Sequence, residues 1–359
     1  MRTVPDPRDP VADLKQIAFL LERALEPSYR VKAFRRAAGT IAALPAAELA
    51  QRTAAGTLTE LAGVGDVTAR CVTESSAGEE PVYLRRLLAT EDTPLDESTA
   101  AIRAALRGDC HAHSDWSDGG SPIEEMARTA RGLGHEYLVL TDHSPRLTVA
   151  HGLTAERLEQ QLDVVAELNA TFAAEAAAGA AEPFRILTGI EVDINEDGTL
   201  DQKPSLLGRL DLVVASVHSK LRMPAREMTP RMVAAISNPH TDVLGHCTGR
   251  LVTGGRGKRP ESEFDAELVF AAAAQFGVAV EINSRPERLD PPKRLLRLAV
   301  EAGCLFSIDT DAHAPGQLDW QRNGCERAAR CGVDVSQVVN SWAMGDLLAW
   351  TADRTTPAR

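Results

Sequence analysis

Residues 210–218 read LDLVVASVH, a short apolar run closed by a histidine. It is too short for a helix that buries one face. Its apolar residues do not alternate with polar ones, as expected of a strand covered on both sides. The form recurs. Residues 137–143 read YLVLTDH, 184–191 FRILTGIE, 241–247 TDVLGHC and 305–313 LFSIDTDAH. Two further runs lie at 107–112 and 278–283, and the first opens the segment GDCHAHSDWSDGG at 108–120. The expected strands are therefore 107–112, 137–142, 185–192, 210–217, 242–246, 278–283 and 305–310. Helical patterns near 121–133, 154–178, 228–237, 262–276 and 292–302 fall between them. This alternation predicts an α/β fold, a parallel sheet under helices, and seven units predict a barrel or near-barrel.

Active sites of such barrels lie at the C-terminal ends of the strands. Six of the nine histidines and three carboxylates fall there: His111, His113, Asp118, His143, Glu191, His218, His246, Asp311 and His313. Of the other three histidines, His135 and His240 precede strands and are expected in surface or turn roles at the opposite rim. His151 follows the second strand on the ligand-bearing side and is a candidate substrate contact. A lone histidine at a strand end usually caps a core or bonds a carbonyl; the repetition is what favours a metal site. His111 and His113 are two apart, as are Asp311 and His313, so each pair shares a face. Imidazole nitrogen mixed with carboxylate oxygen suits zinc, manganese or iron. Nine ligands exceed the need of one ion, and two or three ions sharing a bridging carboxylate would use them all. Paired ions suit phosphoester hydrolysis, because they bind phosphoryl oxygens and lower the pKa of a shared water.

The chain has 359 residues, a formal charge of −12, 44% hydrophobic residues and only 4% aromatic ones. The acidic balance argues against a binder held to nucleic acid by bulk charge alone. No apolar run reaches 18 residues and the N-terminus lacks a signal-peptide core, so a cytoplasmic protein without membrane contact is expected. Its six cysteines are scattered, with no paired spacing for a zinc ribbon or a disulfide framework. Cys110 and Cys247 adjoin proposed ligands, and strand alternation turns Cys110 outward if His111 points in.

Residues 1–11, rich in Pro and Asp, are expected to be a disordered tail. Residues 12–75 read as helices: DLKQIAFLLERAL, RVKAFRRAAGTIAAL and AAELAQRTAAG, then LTELAGVGDVTARCVTES with a turn at Leu61–Gly65. Residues 76–106 read as a linker and a helix, and 107–350 as the barrel.

The ordered set HAHSDWSDG, TDH, GIEVDI, VASVHS, LGHCTGR, VEINS and DTDAH resembles the polymerase and histidinol phosphatase (PHP) family. The form at the C-terminus of bacterial family X DNA polymerases is the most similar. The likeness covers roughly residues 107–350 and implies a distorted (β/α)7 barrel with a trinuclear centre. It implies that His111, His113, Glu191 and Asp311 hold one ion, and with it the water that attacks phosphorus. Glu191 would bridge to a second ion completed by His218 and His246, and Asp118, His143 and His313 would hold a third. Residues 12–75, with SYRVKAFRRAAGTIAALP and LTELAGVGDVTA, resemble the small all-α helix-hairpin-helix domain of the same polymerases. In that motif glycines permit the tight turn, and backbone amides with a helix N-terminus hold a DNA phosphate. Two departures stand out. The nucleotidyl-transfer domain that should separate the halves is missing, so no polymerase activity is expected. Cys71 stands where some relatives carry a lyase lysine, so no Schiff-base chemistry is expected.

Phosphate-binding candidates on the ligand-bearing rim are Lys220, Arg222, Arg250, Arg285 and Arg288, beside Arg256, Lys258 and Arg259. Candidate DNA contacts in the helical part are Gly63, Val64, Gly65, Arg30, Lys32, Arg35 and Arg36. The leading expectation is a metal-dependent phosphoesterase with two to three Zn or Mn ions, Fe also being compatible. It would cleave phosphodiester bonds of DNA as a 3′→5′ exonuclease or 3′-end processing enzyme of DNA repair. The alternatives are a phosphomonoesterase such as histidinol phosphatase, and a non-catalytic DNA-binding protein with a structural metal centre.

Overall fold

The computed structural model describes residues 8–90, 94–255 and 257–354. The chain folds as two units, Met1–Pro94 and Leu95–Arg359.

The first unit is helical: α1 Pro10–Arg23, α2 Ser28–Ala42, α3 Ala46–Ala55, α4 Asp66–Ser76 and α5 Val82–Leu88. Leu14, Ile17, Leu21, Phe34, Ile41, Val72 and Leu84 form its core. The disordered tail does not extend as far as residue 11. Asp9 caps α1 by accepting the Val11 amide at 2.8 Å, and Pro10 sits at the first helical position, where its missing N–H costs nothing. Arg8 grips Asp13 through two bonds of 2.8 and 3.0 Å. Residues 1–7 of that expected tail lie outside the described residues.

The second unit runs α6 Glu97–Ala105, β1 Gly108–Ala112, α7 Ile123–Gly132, β2 Tyr137–Leu140, α8 Ala155–Ala177, β3 Arg185–Asp193, α9 Pro204–Leu207, β4 Leu212–Ser216, α10 Ala225–Ile236, β5 Val243–Leu244, α11 Ala266–Phe276, β6 Ala279–Asn283, α12 Lys293–Glu301, β7 Leu305–Asp309, α13 Gln321–Cys331 and α14 Met344–Arg354. The seven strands are parallel and pair in chain order. A bridge between Ala112 and Ala312 brings the first and last strands together at one end. Side chains fill the rest of that seam. The Gln321 and Asn340 amides each donate to the carbonyls of Gly108 and Ile308. The result is a nearly closed barrel ringed by helices.

Alternation along the strands sorts outside from inside. Leu138, Leu140 and Ile186 meet Met126 and Phe172 of the covering helices, while Tyr137, Val139, Leu187, Val214 and Val243 pack with one another inside. β1 breaks the alternation. Its register with β2 pairs Asp109 with Leu138 and Ala112 with Leu140, so Cys110 and His111 together oppose Val139 alone. Such a bulge turns two consecutive side chains toward one side. Cys110 therefore packs inside with Tyr137 and Val139, against the outward placement expected from simple alternation.

His135, expected in a surface or turn role, lies in the turn after α7, where its amide donates to Ala130 O at 3.1 Å, but its ring is not at the surface: it is 3% exposed, and neither ring nitrogen has a hydrogen-bond partner among the described residues. Burial, with Arg103 adding to it, depresses its pKa to about 3 and keeps the ring neutral. No helix among the described residues is long and apolar enough to cross a membrane.

Candidate metal centre and hairpin

The strand ends bring the nine residues to one place, with Glu191 in the middle. Its Oε1 lies 2.9 Å from His246 Nε2 and 3.3 Å from His218 Nε2. Its Oε2 lies 2.8 Å from His143 Nδ1, 3.3 Å from His111 Nε2 and 3.7 Å from His113 Nε2. Asp311 Oδ1 is 3.4 Å from His113 Nε2. Asp118 Oδ1 is 3.4 Å from His143 Nε2 and 3.3 Å from His313 Nε2.

Three subsets have donor atoms close enough to share an ion: His113, Asp118, His143 and His313; His111, His113 and Asp311; and His143, Glu191 and His218. His113 and His143 each belong to two subsets. His246 stands outside these subsets but touches Glu191 directly.

The donor atoms fit metal ions. His111 Nε2, both nitrogens of His113 and of His218, His246 Nδ1 and Glu191 Oε2 are buried without a hydrogen bond among the described residues. Leaving such groups unmatched costs about 1–3 kcal/mol each, more when charged. A mixed nitrogen and oxygen set is what Zn, Mn and Fe accept. The local field also prepares the carboxylates. Burial alone would raise the Glu191 pKa, but His111, His218 and His143 outweigh it and hold Glu191 well below its ordinary value. At Asp311, Arg288 and His113 likewise outweigh burial.

A second layer orients the first. Glu281 Oε1 lies 2.6 Å from His111 Nδ1, and its Oε2 accepts the His246 backbone amide at 2.5 Å. Asp193 accepts the His218 amide at 3.1 Å. Asp142 accepts the Ser114 amide at 2.8 Å and is bonded to Ser117, which braces the loop between His113 and Asp118. Glu281 is absent from the candidates found by sequence. Its signal is inward parity on β6 in the run VEINS. Gly245 precedes His246 because a Cβ there would lie 2.2 Å from Ser216 Oγ.

A cavity of about 230 Å³ opens over the centre, with Asp118, His143, His218, Asp311 and His313 on its floor. Arg259, Arg285 and Arg288 form one wall, and Leu147, Val149 and Leu221 line it elsewhere. Arg288 Nε bonds Asp311 Oδ2 at 3.0 Å, and Arg285 Nη1 bonds the Asp311 carbonyl at 3.0 Å. Three of the five phosphate candidates do not line this cavity. Lys220 and Arg222 are exposed and do not line this cavity. Arg250 spends its guanidinium on the carbonyls of Arg288 and Leu289, so it holds the loop that carries Arg288. His151 also stays off the cavity wall; its carbonyl accepts from Arg157. Arg256 lies outside the described residues.

In the helical unit, Gly63 has φ +84°, which suits glycine, and packs against the Arg36 side chain. Val64 is buried in the core, and its amide donates to Leu61 O at 3.1 Å. The Gly65 amide donates to Thr68 Oγ1 at 2.9 Å. Two of the three hairpin amides expected to face phosphate are thus engaged internally. Asp66 and Val67, which open α4, are exposed. The expected basic cluster divides in the same way. Arg35 pairs with Glu22 at 2.6 Å, and Arg30 pairs with Glu26 and Tyr83. Lys32 and Arg36 are exposed, one turn apart on α2.

A parallel barrel whose rim gathers these nine side chains defines a class, the metal-dependent hydrolases. Residues 109–285 match the PHP domain and residues 6–80 match a helix-hairpin-helix domain. The chain thus carries a PHP domain, of the metal-dependent phosphoesterase kind, behind an N-terminal helix-hairpin-helix domain. It is 39% identical over 245 residues to the DNA polymerase/3′-5′ exonuclease PolX of Bacillus subtilis (strain 168). That match takes in 68% of this chain and spans only 41% of the polymerase. It is 28% identical over 244 residues to a probable phosphatase of Thermoanaerobacter sp. (strain X514), covering 65% of this chain and 89% of the phosphatase. A histidinol phosphate phosphatase from Lactococcus lactis, solved with zinc, L-histidinol and phosphate, superimposes with a TM-score of 0.47 at 20% identity, covering 64% of this chain and 95% of that one.

Proposed function

We propose that this chain is a metal-dependent DNA exonuclease or 3′-end processing enzyme working with two or three Zn or Mn ions. The observation that carries the reading is the pairing of the phosphoesterase barrel with a helix-hairpin-helix domain on one chain. A small-molecule phosphatase has no use for a fold that holds a nucleic-acid backbone.

His111, His113 and Asp311 would hold one ion with Glu191. His218 and His246 would hold a second, shared through Glu191, and Asp118, His143 and His313 a third. When bound, such ions bind phosphoryl oxygens and lower the pKa of a water molecule. The chain's own residues do the rest. Arg285 and Arg288 put positive charge beside the reacting phosphate, where it offsets charge that grows in the transition state. Leu147, Val149 and Leu221 give the terminal nucleoside an apolar face. The bonds from Glu281 and Arg288 keep His111 and Asp311 in position throughout.

The compactness of the cavity supports a second reading, hydrolysis of a small phosphomonoester. Purified full-length protein loaded with Mn or Zn separates the two. It is offered 5′-labelled single- and double-stranded DNA, a 3′-phosphorylated oligonucleotide and histidinol phosphate. The first reading expects progressive shortening from the 3′ end. Rapid turnover of histidinol phosphate with no change in any DNA would overturn it.

A further inference from the structure

A second chamber of about 610 Å³ lies beside the metal cavity. Its wall comes from the same rim: Ala225 opens α10, Arg250, Val252 and residues 259–264 follow β5, and Arg294 and Leu295 open α12. Arg259 lines both chambers. That residue is held on a short two-stranded turn, where Leu251 and Arg259 exchange two backbone bonds of 3.0 Å, and its Nε donates to Gly249 O at 2.6 Å. A fixed arginine therefore borders both chambers, tied to the segment 249–251 that follows the candidate ligand His246.

Two more arginines line the second chamber. Arg294 pairs with Glu261, and Arg250 Nη1 lies 3.5 Å from the other oxygen of the same carboxylate. With Arg259, these arginines outnumber the two carboxylates of the lining, Glu261 and Glu263, by one charge, so the chamber stays positive. Phe264 and Val252 supply apolar surface beside them. Paired cations next to apolar and aromatic surface suit a nucleotide, with its phosphate on arginine and its base on the apolar face. The compact first cavity does not account for this space.

We propose that the second chamber is a subsite for the nucleotide preceding the scissile bond, with Arg259 and Arg294 holding its phosphodiester. This rests on the DNA reading above and goes further, because it makes the enzyme sensitive to strand length. A strand that fills both chambers binds better than one that fills only the first.

The test is steady-state kinetics of the full-length, metal-loaded protein on two substrates. One is the p-nitrophenyl ester of thymidine 5′-phosphate, which reaches only the first chamber. The other is a single-stranded tetranucleotide. Wild type should show a kcat/KM at least tenfold higher on the tetranucleotide. Arg294→Glu should erase most of that advantage by raising KM for the tetranucleotide about tenfold more than for the nitrophenyl ester. Glu261→Gln removes the competing carboxylate and should move the tetranucleotide KM down, a direction that misfolding would not produce. Equal effects on both substrates, or no length dependence in wild type, overturn the subsite while leaving DNA cleavage standing. Turnover of the nitrophenyl ester with no cleavage of any DNA overturns both the subsite and the reading beneath it.

Discussion

Glu281 Oε1 lies 2.6 Å from His111 Nδ1, and the other oxygen of the same carboxylate accepts the backbone amide of His246. One side chain on β6 thereby orients two candidate ligands that arrive from β1 and β5. With Nδ1 engaged, His111 presents Nε2 to the centre. Outer carboxylates of this kind typically contribute 10- to 100-fold in metal affinity. Glu281→Gln, which keeps the shape, should weaken metal binding about tenfold, and Glu281→Ala nearer 100-fold. Competition with a chromophoric chelator reads this directly. Unchanged affinity in both variants would reduce Glu281 to a packing residue.

Metal uptake should expel protons. Burial lowers the pKa of His218, but Glu191 and Asp193 outweigh it and raise the value to about 9 in the metal-free protein. At pH 7 the ring is therefore protonated, and a ligand nitrogen must be neutral. Affinity at that site should rise up to about tenfold per pH unit from 7 toward 9 and then level off. Calorimetric titrations in buffers of different ionisation enthalpy should count about one proton released per ion bound there. A count of zero would contradict the placement of His218 beside two carboxylates.

His135 makes the opposite kind of prediction, on stability. Its folded pKa of about 3 lies below the usual value of about 6.5. Between those values the unfolded chain holds a proton that the folded chain does not. Stability should then fall by about 1.4 kcal/mol per pH unit as pH drops through that window. His135→Phe removes the titration while filling the site. The acid limb of its Tm profile between pH 6 and 4 should be flatter than that of wild type, and a parallel profile would refute the assignment.

The barrel was legible because parallel strands buried on both faces leave continuous apolar runs, and because the nine candidate ligands stand where those runs stop. What stayed hidden depends on partners distant in sequence. The inward turn of Cys110 follows from a register shift against β2, which no local pattern of GDCHA encodes. Glu281 reads as an ordinary residue of a buried strand until His111 is seen against it. Arg250, Arg285 and Arg288 look alike as rim cations. Only the folded loop assigns the first to backbone carbonyls and the other two to the cavity.

The hairpin unit shows the same division, and it sets the last test. Arg35 is largely buried against Glu22, whose side chain is 5% exposed, so Arg35→Ala strands a carboxylate and should cost about 1–3 kcal/mol. Lys32 and Arg36 are exposed on α2, and Arg36 lies against Gly63 of the hairpin. If this face holds DNA, Lys32→Glu and Arg36→Glu should weaken binding to all sequences alike. Each should also reduce the slope of log K against log salt by about one. Arg35→Ala should lower the melting temperature and leave that slope in place. Fluorescence anisotropy at four salt concentrations, beside thermal melts of the same proteins, separates the two effects. An unaltered slope in both exposed variants would move the DNA-binding surface off α2.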